Sequence, residues 1–169
     1  KSREVLASHL EKKTGLAKEQ QALYYSSWHY AAIHMGLCLI EKLSLEKLGL
    51  KLGISIDRVR SITQSLIEMG LIIMTDNGYQ LTDNNTFVGQ NSIQLNRHHS
   101  NWRIQAINNL EKGKVEDLHY TAIYSLSRED RERLKENIIG LIQKNLKIVQ
   151  HSPEESVFVF TADFFELEE

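Results

Sequence analysis

Residues 43–82 read LSLEKLGLKLGISIDRVRSITQSLIEMGLIIMTDNGYQLT, with capping, apolar and turn residues ordered so that helix, turn, helix and β-hairpin follow without a spacer. Ser44 can cap free backbone N–H groups, and Leu45, Leu48 and Leu52 share one face before Gly53 breaks the pattern. Ser55 opens a longer helix in which Ile56, Val59, Ile62, Leu66 and Met69 recur every three or four residues, and Gly70 supplies a left-handed stop. Two strand-like runs come next, Leu71 to Thr75 and Tyr79 to Thr82. The Asn77-Gly78 pair between them is a strong hairpin signal, because both residue types tolerate positive φ.

This order of elements is the plan of a winged helix. Leu-Gly-Ile-Ser at 52–55, Leu-Ile-Glu-Met-Gly-Leu-Ile at 66–72 and the Asn77-Gly78 wing resemble the winged-helix domains of bacterial transcription regulators. Tyr25-Ser-Ser-Trp-His-Tyr-Ala-Ala-Ile33 upstream and Val157-Phe-Val-Phe-Thr-Ala-Asp-Phe-Phe165 downstream are similar to one uncharacterised family, bacterial helix-turn-helix regulators with a carboxy-terminal domain of unknown function. The resemblance spans most of the 169 residues, but its motifs are packing motifs, so it bears on fold more than on activity. It implies a role in regulating transcription. Members of that family usually carry another helix-turn-helix module upstream, so this chain, which begins with Lys1, is expected to be the carboxy-terminal part of a longer protein.

With 41% hydrophobic and 25% charged residues the chain can bury a core of ordinary size. No run approaches the ~18 apolar residues of a membrane span, and Lys1-Ser-Arg3 is not followed by a signal-peptide core, so the expected location is the cytoplasm, with no membrane partner. Cys38 lies in the apolar run Met35-Gly-Leu-Cys-Leu-Ile and reads as a buried, inert thiol. The net charge of −2 divides unevenly: 14 Lys and Arg against 10 Asp and Glu over residues 1–115, six of each over 116–153, and six acids with no base over 154–169. A mildly basic body can meet phosphates, and the acidic end keeps its own segment away from them.

The expected fold class is α+β, a winged helix-turn-helix followed by a small α/β module built as helix, strand, helix, strand. Residues 1–26 form an amino-terminal linker helix, with Ser2 to about Gln20 helical and Val5, Leu6, His9 and Leu10 on one side. The winged helix occupies 27–85, its first helix running from Ser27 to Leu43 with Trp28, Ile33, Leu37 and Ile40 in the core. The aromatic cluster Tyr24, Tyr25, Trp28 and Tyr30 is read as core rather than as a base-stacking platform. Residues 91–169 form the second module. Its first helix, from about Ser92 to Glu111, lines up Leu95, His99, Trp102, Ala106 and Leu110. Leu118 to Leu126 alternates like a strand. Ser127-Arg-Glu-Asp130 then opens a long helix whose Leu134, Ile138, Leu141, Ile142, Leu146 and Val149 face a core. Val157 to Phe165 closes the chain as a strand apolar on both faces and buried between layers. Two strands need covering helices or a partner subunit, so a homodimer is expected.

On a helical wheel of ~100° per residue, the face opposite the apolar stripe of 56–68 is centred on Asp57, Ser61, Gln64 and Glu68, with Arg58, Arg60 and Ser65 at its flanks. Ser61 and Gln64 can read base edges. The candidate DNA-binding set is Lys47, Lys51, Ser55, Arg58, Arg60, Ser61, Gln64 and Asn77. Asp57 and Glu68 oppose phosphates, and the wing Thr75-Asp-Asn-Gly-Tyr-Gln80 brings no base, so the electrostatic part of binding is expected to be small.

Neither His98-His99 nor His29 with His34 has chelate spacing, because neighbours point ~100° apart on a helix and a spacing of five does not stack. His99 is read as a hydrogen-bonded core residue. No glycine-rich phosphate loop or nucleophile elbow occurs, so neither an enzyme nor a bound cofactor or metal is expected. The leading expectation is a transcription regulator binding DNA as a dimer. In the alternative, the winged helix is a protein-interaction or dimerisation scaffold, and DNA binding resides in an upstream module.

Overall fold

The computed structural model describes residues 15–39, 41–84 and 93–167. Among these residues the fold is mainly helical, with helices α1 (Lys18–Tyr24), α2 (Trp28–Leu37), α3 (Leu45–Leu52), α4 (Ile56–Glu68), α5 (Ile93–Leu110) and α6 (Arg128–Val149). A small antiparallel hairpin, β1 (Ile72–Thr75) and β2 (Gly78–Leu81), follows α4, and the arrangement is consistent with a winged helix.

The helix ends in the middle of the chain follow local chemistry. Ser44 and Ser55 hydroxyls accept from the backbone N–H groups of Lys47 and Arg58, each at 3.2 Å, and so cap α3 and α4. Gly53 closes α3 at φ 67, a left-handed position that a residue with a Cβ takes only with strain. The hairpin pairs Ile72 with Leu81 and Thr75 with Gly78, so its two loop residues are Asp76 and Asn77. Positive φ falls on Gly78, at 99°, and not on Asn77, which corrects the expected Asn77-Gly78 loop by one residue.

One core lies beneath these elements. Val59, Ile62 and Leu66 of α4 are fully buried against Tyr30, Ile33 and Leu37 of α2, Leu48 of α3, and Leu71 and Ile72 at the start of the hairpin. Tyr24 and Tyr25 join the same core, so the end of α1 is packed into it. Trp28 is half-buried, and Ile40 lies outside the described residues.

Three expected boundaries shift. Ala17 is extended (ψ 157), so α1 starts at Lys18 and runs past Gln20 to Tyr24; Val5, Leu6, His9 and Leu10 lie outside the described residues. The helix expected over Ser27 to Leu43 stops at Leu37, because Cys38 leaves helical geometry and its N–H bonds back three residues to Met35, letting Leu39 turn into the core. Cys38 itself is half-buried; burial raises its thiol to about 11, so it is protonated near neutrality.

The larger correction concerns the second module. Residues 118–126 and 157–165 form no strand, and no side chain of α5 or α6 is buried. Leu134, Leu141, Leu146 and Val149 stand exposed where a core was expected, and Phe158 is 90% exposed rather than enclosed between layers. On α5 the residues meeting the core unit are His98, Asn101 and Trp102: His98 packs edge-on to Tyr25, Trp102 edge-on to Trp28, and the Asn101 amide reaches the Tyr25 carbonyl at 3.4 Å. His99 is exposed, so it is not the core histidine expected from the stripe. Among the described residues no helix is long and apolar enough to cross a membrane.

Candidate nucleic-acid interface

Helix α4 presents the candidate surface, because its inward stripe is consumed by the core and its outward residues Asp57, Arg58, Arg60, Ser61, Gln64 and Glu68 are all exposed. Lys47 and Lys51 are exposed on α3, Ser55 at the α4 cap and Asn77 at the hairpin tip. The expected residues therefore all reach the surface, although several are engaged with neighbours.

Arg60 Nη1 lies 3.4 Å from Asp57 Oδ1, one turn back on the same helix. Gln64 donates its amide to Glu68 Oε1 at 2.9 Å. Each acid on this face thus engages a polar or cationic side chain of the candidate set. Both pairs are exposed, however, and exposed pairs contribute about 1 kcal/mol or less, so a competing ligand can separate them. Ser55 Oγ is committed to the Arg58 N–H, while the Ser61 carbonyl accepts from Ser65 Oγ at 3.0 Å, leaving the Ser61 hydroxyl itself on the surface.

Residues outside the expected set position the cations. The Arg58 guanidinium sits 5.9 Å from the centre of the buried Tyr30 ring, a cation–π contact that anchors it at the α2–α4 junction. His29 lies nearby, stacked on Trp28 with ring centres 4.1 Å apart, its Nδ1 2.8 Å from Ser27 Oγ. Burial, then the Arg58 charge, hold its pKa below the usual value, with the Leu52 carbonyl opposing them. At the start of α3 the Glu46 carboxyl is held below its usual range by its own backbone N–H and the Ser44 hydroxyl, and further by Arg60. Lys42, a positive charge beside the wing, donates to the Tyr79 carbonyl at 3.2 Å while its methylenes cover Gly78. Helical spacing alone gave the outward face of α4. The links to Tyr30 and His29 cross between helices, so no local pattern carried them.

Among the described residues no cluster of three metal-capable side chains occurs. A groove of about 250 Å³ lies apart from this face, between α5 and the chain end, lined by His98, His99, Trp102, Arg103, Ile142 and Phe160. Residues 8–167 match a family described as a domain of unknown function (DUF4423). No curated protein and no solved structure matches the chain.

Proposed function

The chain belongs to the DUF4423 family, and from the geometry of its helical core we propose that it is a transcription-regulatory domain in which α4 of a winged helix docks in the major groove of DNA. The observation that supports this most is the outward face of α4. It is polar along its length, and it carries Ser61 and Gln64 at its centre with Arg58 and Arg60 at its edge. Gln64 can pair bidentately with adenine once it leaves Glu68. Lys47, Lys51, Arg58 and Arg60 supply phosphate contacts, and four such contacts give a salt slope of about −3 to −4.

Fluorescence anisotropy with labelled genomic duplexes, between about 50 and 200 mM salt, tests the reading. Arg58→Ala with Arg60→Ala is expected to weaken all sequences alike and flatten the slope by about 2, while Gln64→Ala alters preference at particular bases. No binding at low salt would remove DNA reading from this segment. A second reading then takes its place, in which the unit is a protein-interaction scaffold. It is favoured by Leu50, Ile73 and Met74, apolar side chains left exposed on α3 and the wing.

A further inference from the structure

Two stretches of this chain have strand-type sequences and, among the described residues, pair with no strand. Residues 118–126, LHYTAIYSL, and 157–165, VFVFTADFF, alternate β-branched and aromatic residues, yet among the described residues their backbones make no backbone hydrogen bond. Most of their apolar side chains stand in solvent, Leu118 being 91% and Ile123 86% exposed, while Tyr120 meets Tyr124 through their hydroxyls and Asp163 pairs with Arg103. Between the two stretches α6 exposes Leu134, Leu141, Leu146 and Val149. Together the two stretches and α6 leave an unusual share of large apolar side chains in solvent, which marks an interaction surface.

The occupant that fits is a second copy. A single foreign strand would satisfy one of the two stretches, whereas a two-fold pair satisfies both stretches of both copies at once. Charge decides which stretch meets which. The tail carries Glu154, Glu155, Asp163 and Glu166 with no base, so two tails side by side would crowd carboxylates; residues 118–126 hold no Asp, Glu, Lys or Arg and accept the tail without repulsion. We propose that residues 118–126, α6 and 157–160 form the interface with a second copy of this chain, the tail of one copy pairing as a strand with 118–126 of the other while α6 covers the sheet so formed.

The proposal does not depend on DNA reading: a dimer that binds no DNA leaves it standing. Light scattering on the full 169-residue chain across a concentration series should give a dimer, and Ile123→Glu with Phe158→Glu should shift it to monomer. A photoreactive benzoylphenylalanine at position 158 reports the pairing itself in an otherwise unaltered chain. Irradiation should double the chain mass on a denaturing gel, with the adduct mapping to 118–126. A monomer at every concentration, an adduct of single-chain mass, or a doubled adduct mapping outside 118–126 and α6 would each overturn it.

Discussion

The Tyr24 hydroxyl and His34 Nδ1 lie 3.1 Å apart inside the core, tying the end of α1 to α2. Both residues are buried, and their rings meet edge to face at 5.9 Å. Burial forces the His34 pKa down to about 4, with only the Leu71 carbonyl opposing it, and pushes the Tyr24 phenol far above its usual value. His34 Nε2 makes no close hydrogen bond among the described residues, so the Leu71 carbonyl compensates a proton on the ring only in part.

Stability should therefore fall with acid. The unfolded chain binds a proton at His34 near the ordinary value of 6.5, and the folded chain only near 4, so this contribution is complete above pH 6.5 and lost as the pH drops toward 4. The 2.5-unit gap corresponds to about 3 kcal/mol. Urea unfolding of the wild type and of His34→Asn from pH 7 to pH 4 measures it. The variant should be less stable at pH 7 but lose much less across that range; equal losses in both would show that His34 is not the titrating group.

Two glycines of the α3–α4 corner should fail on substitution for different reasons. A Cβ on Gly49 would stand 2.9 Å from the Ile54 carbonyl oxygen and 3.5 Å from Val59 Cγ2, so Gly49→Ala forces backbone apart and should cost about 1–3 kcal/mol despite better helix propensity. At Gly53 there is open space but φ is 67, so Gly53→Ala should cost about 1 kcal/mol and Gly53→Asn less. Thermal unfolding of the three variants separates the causes. If Asn and Ala at 53 destabilise equally, backbone conformation is not what selects glycine there.

The central unit was legible because its signals are local. Ser44 and Gly53 bracket α3, Ser55 and Gly70 bracket α4, and each acts within one turn of its own helix, so reading it requires no distant residue. Asn77-Gly78 located the hairpin, though glycine alone takes the positive φ. The apolar runs after Gly113 were misplaced because alternation states what a segment can bury, not whether a neighbour exists. Phe158 and Ile123 satisfy the pattern of a buried strand while standing exposed in the single chain. The outward face of α4 was readable from its helical period, but the partners that restrain it, Tyr30 for Arg58 and Glu68 for Gln64, emerge only from packing and rotamer choice.

Neutralising the two acids of α4 should strengthen DNA binding if that face is the reader. Asp57→Asn frees Arg60, and Glu68→Gln removes a carboxylate that both holds Gln64 and repels phosphate. At about 0.5 kcal/mol for each exposed charge, the double variant should bind roughly fivefold more tightly at low salt. Anisotropy titrations decide the matter. An unchanged or weaker affinity would mean that DNA, if bound at all, meets another surface.

The chain end is fixed to α5 through Arg103, whose Nε lies 2.7 and 2.8 Å from the two Asp163 carboxylate oxygens. Its Nη2 also contacts Asp163 and reaches the Ala162 carbonyl, and Nη1 donates to the His99 carbonyl at 3.0 Å, so one guanidinium holds two tail residues and its own helix. This forked geometry brings Phe160 into the groove beside Trp102 and Ile142. Because the pair is partly exposed, its coupling should be about 1 kcal/mol rather than that of a buried ion pair. Arg103→Lys keeps the charge but loses the fork, so it should recover little of the coupling. A double-mutant cycle with Asp163→Asn, read by hydrogen exchange across 157–165, tests this: each single variant should loosen the tail, and the double variant should loosen it hardly further. Deleting 166–169, beyond the clamp, should change little. Additive losses from Arg103→Lys and Asp163→Asn would mean that the tail is held by its apolar contacts with α5 and α6 and that the ion pair is incidental.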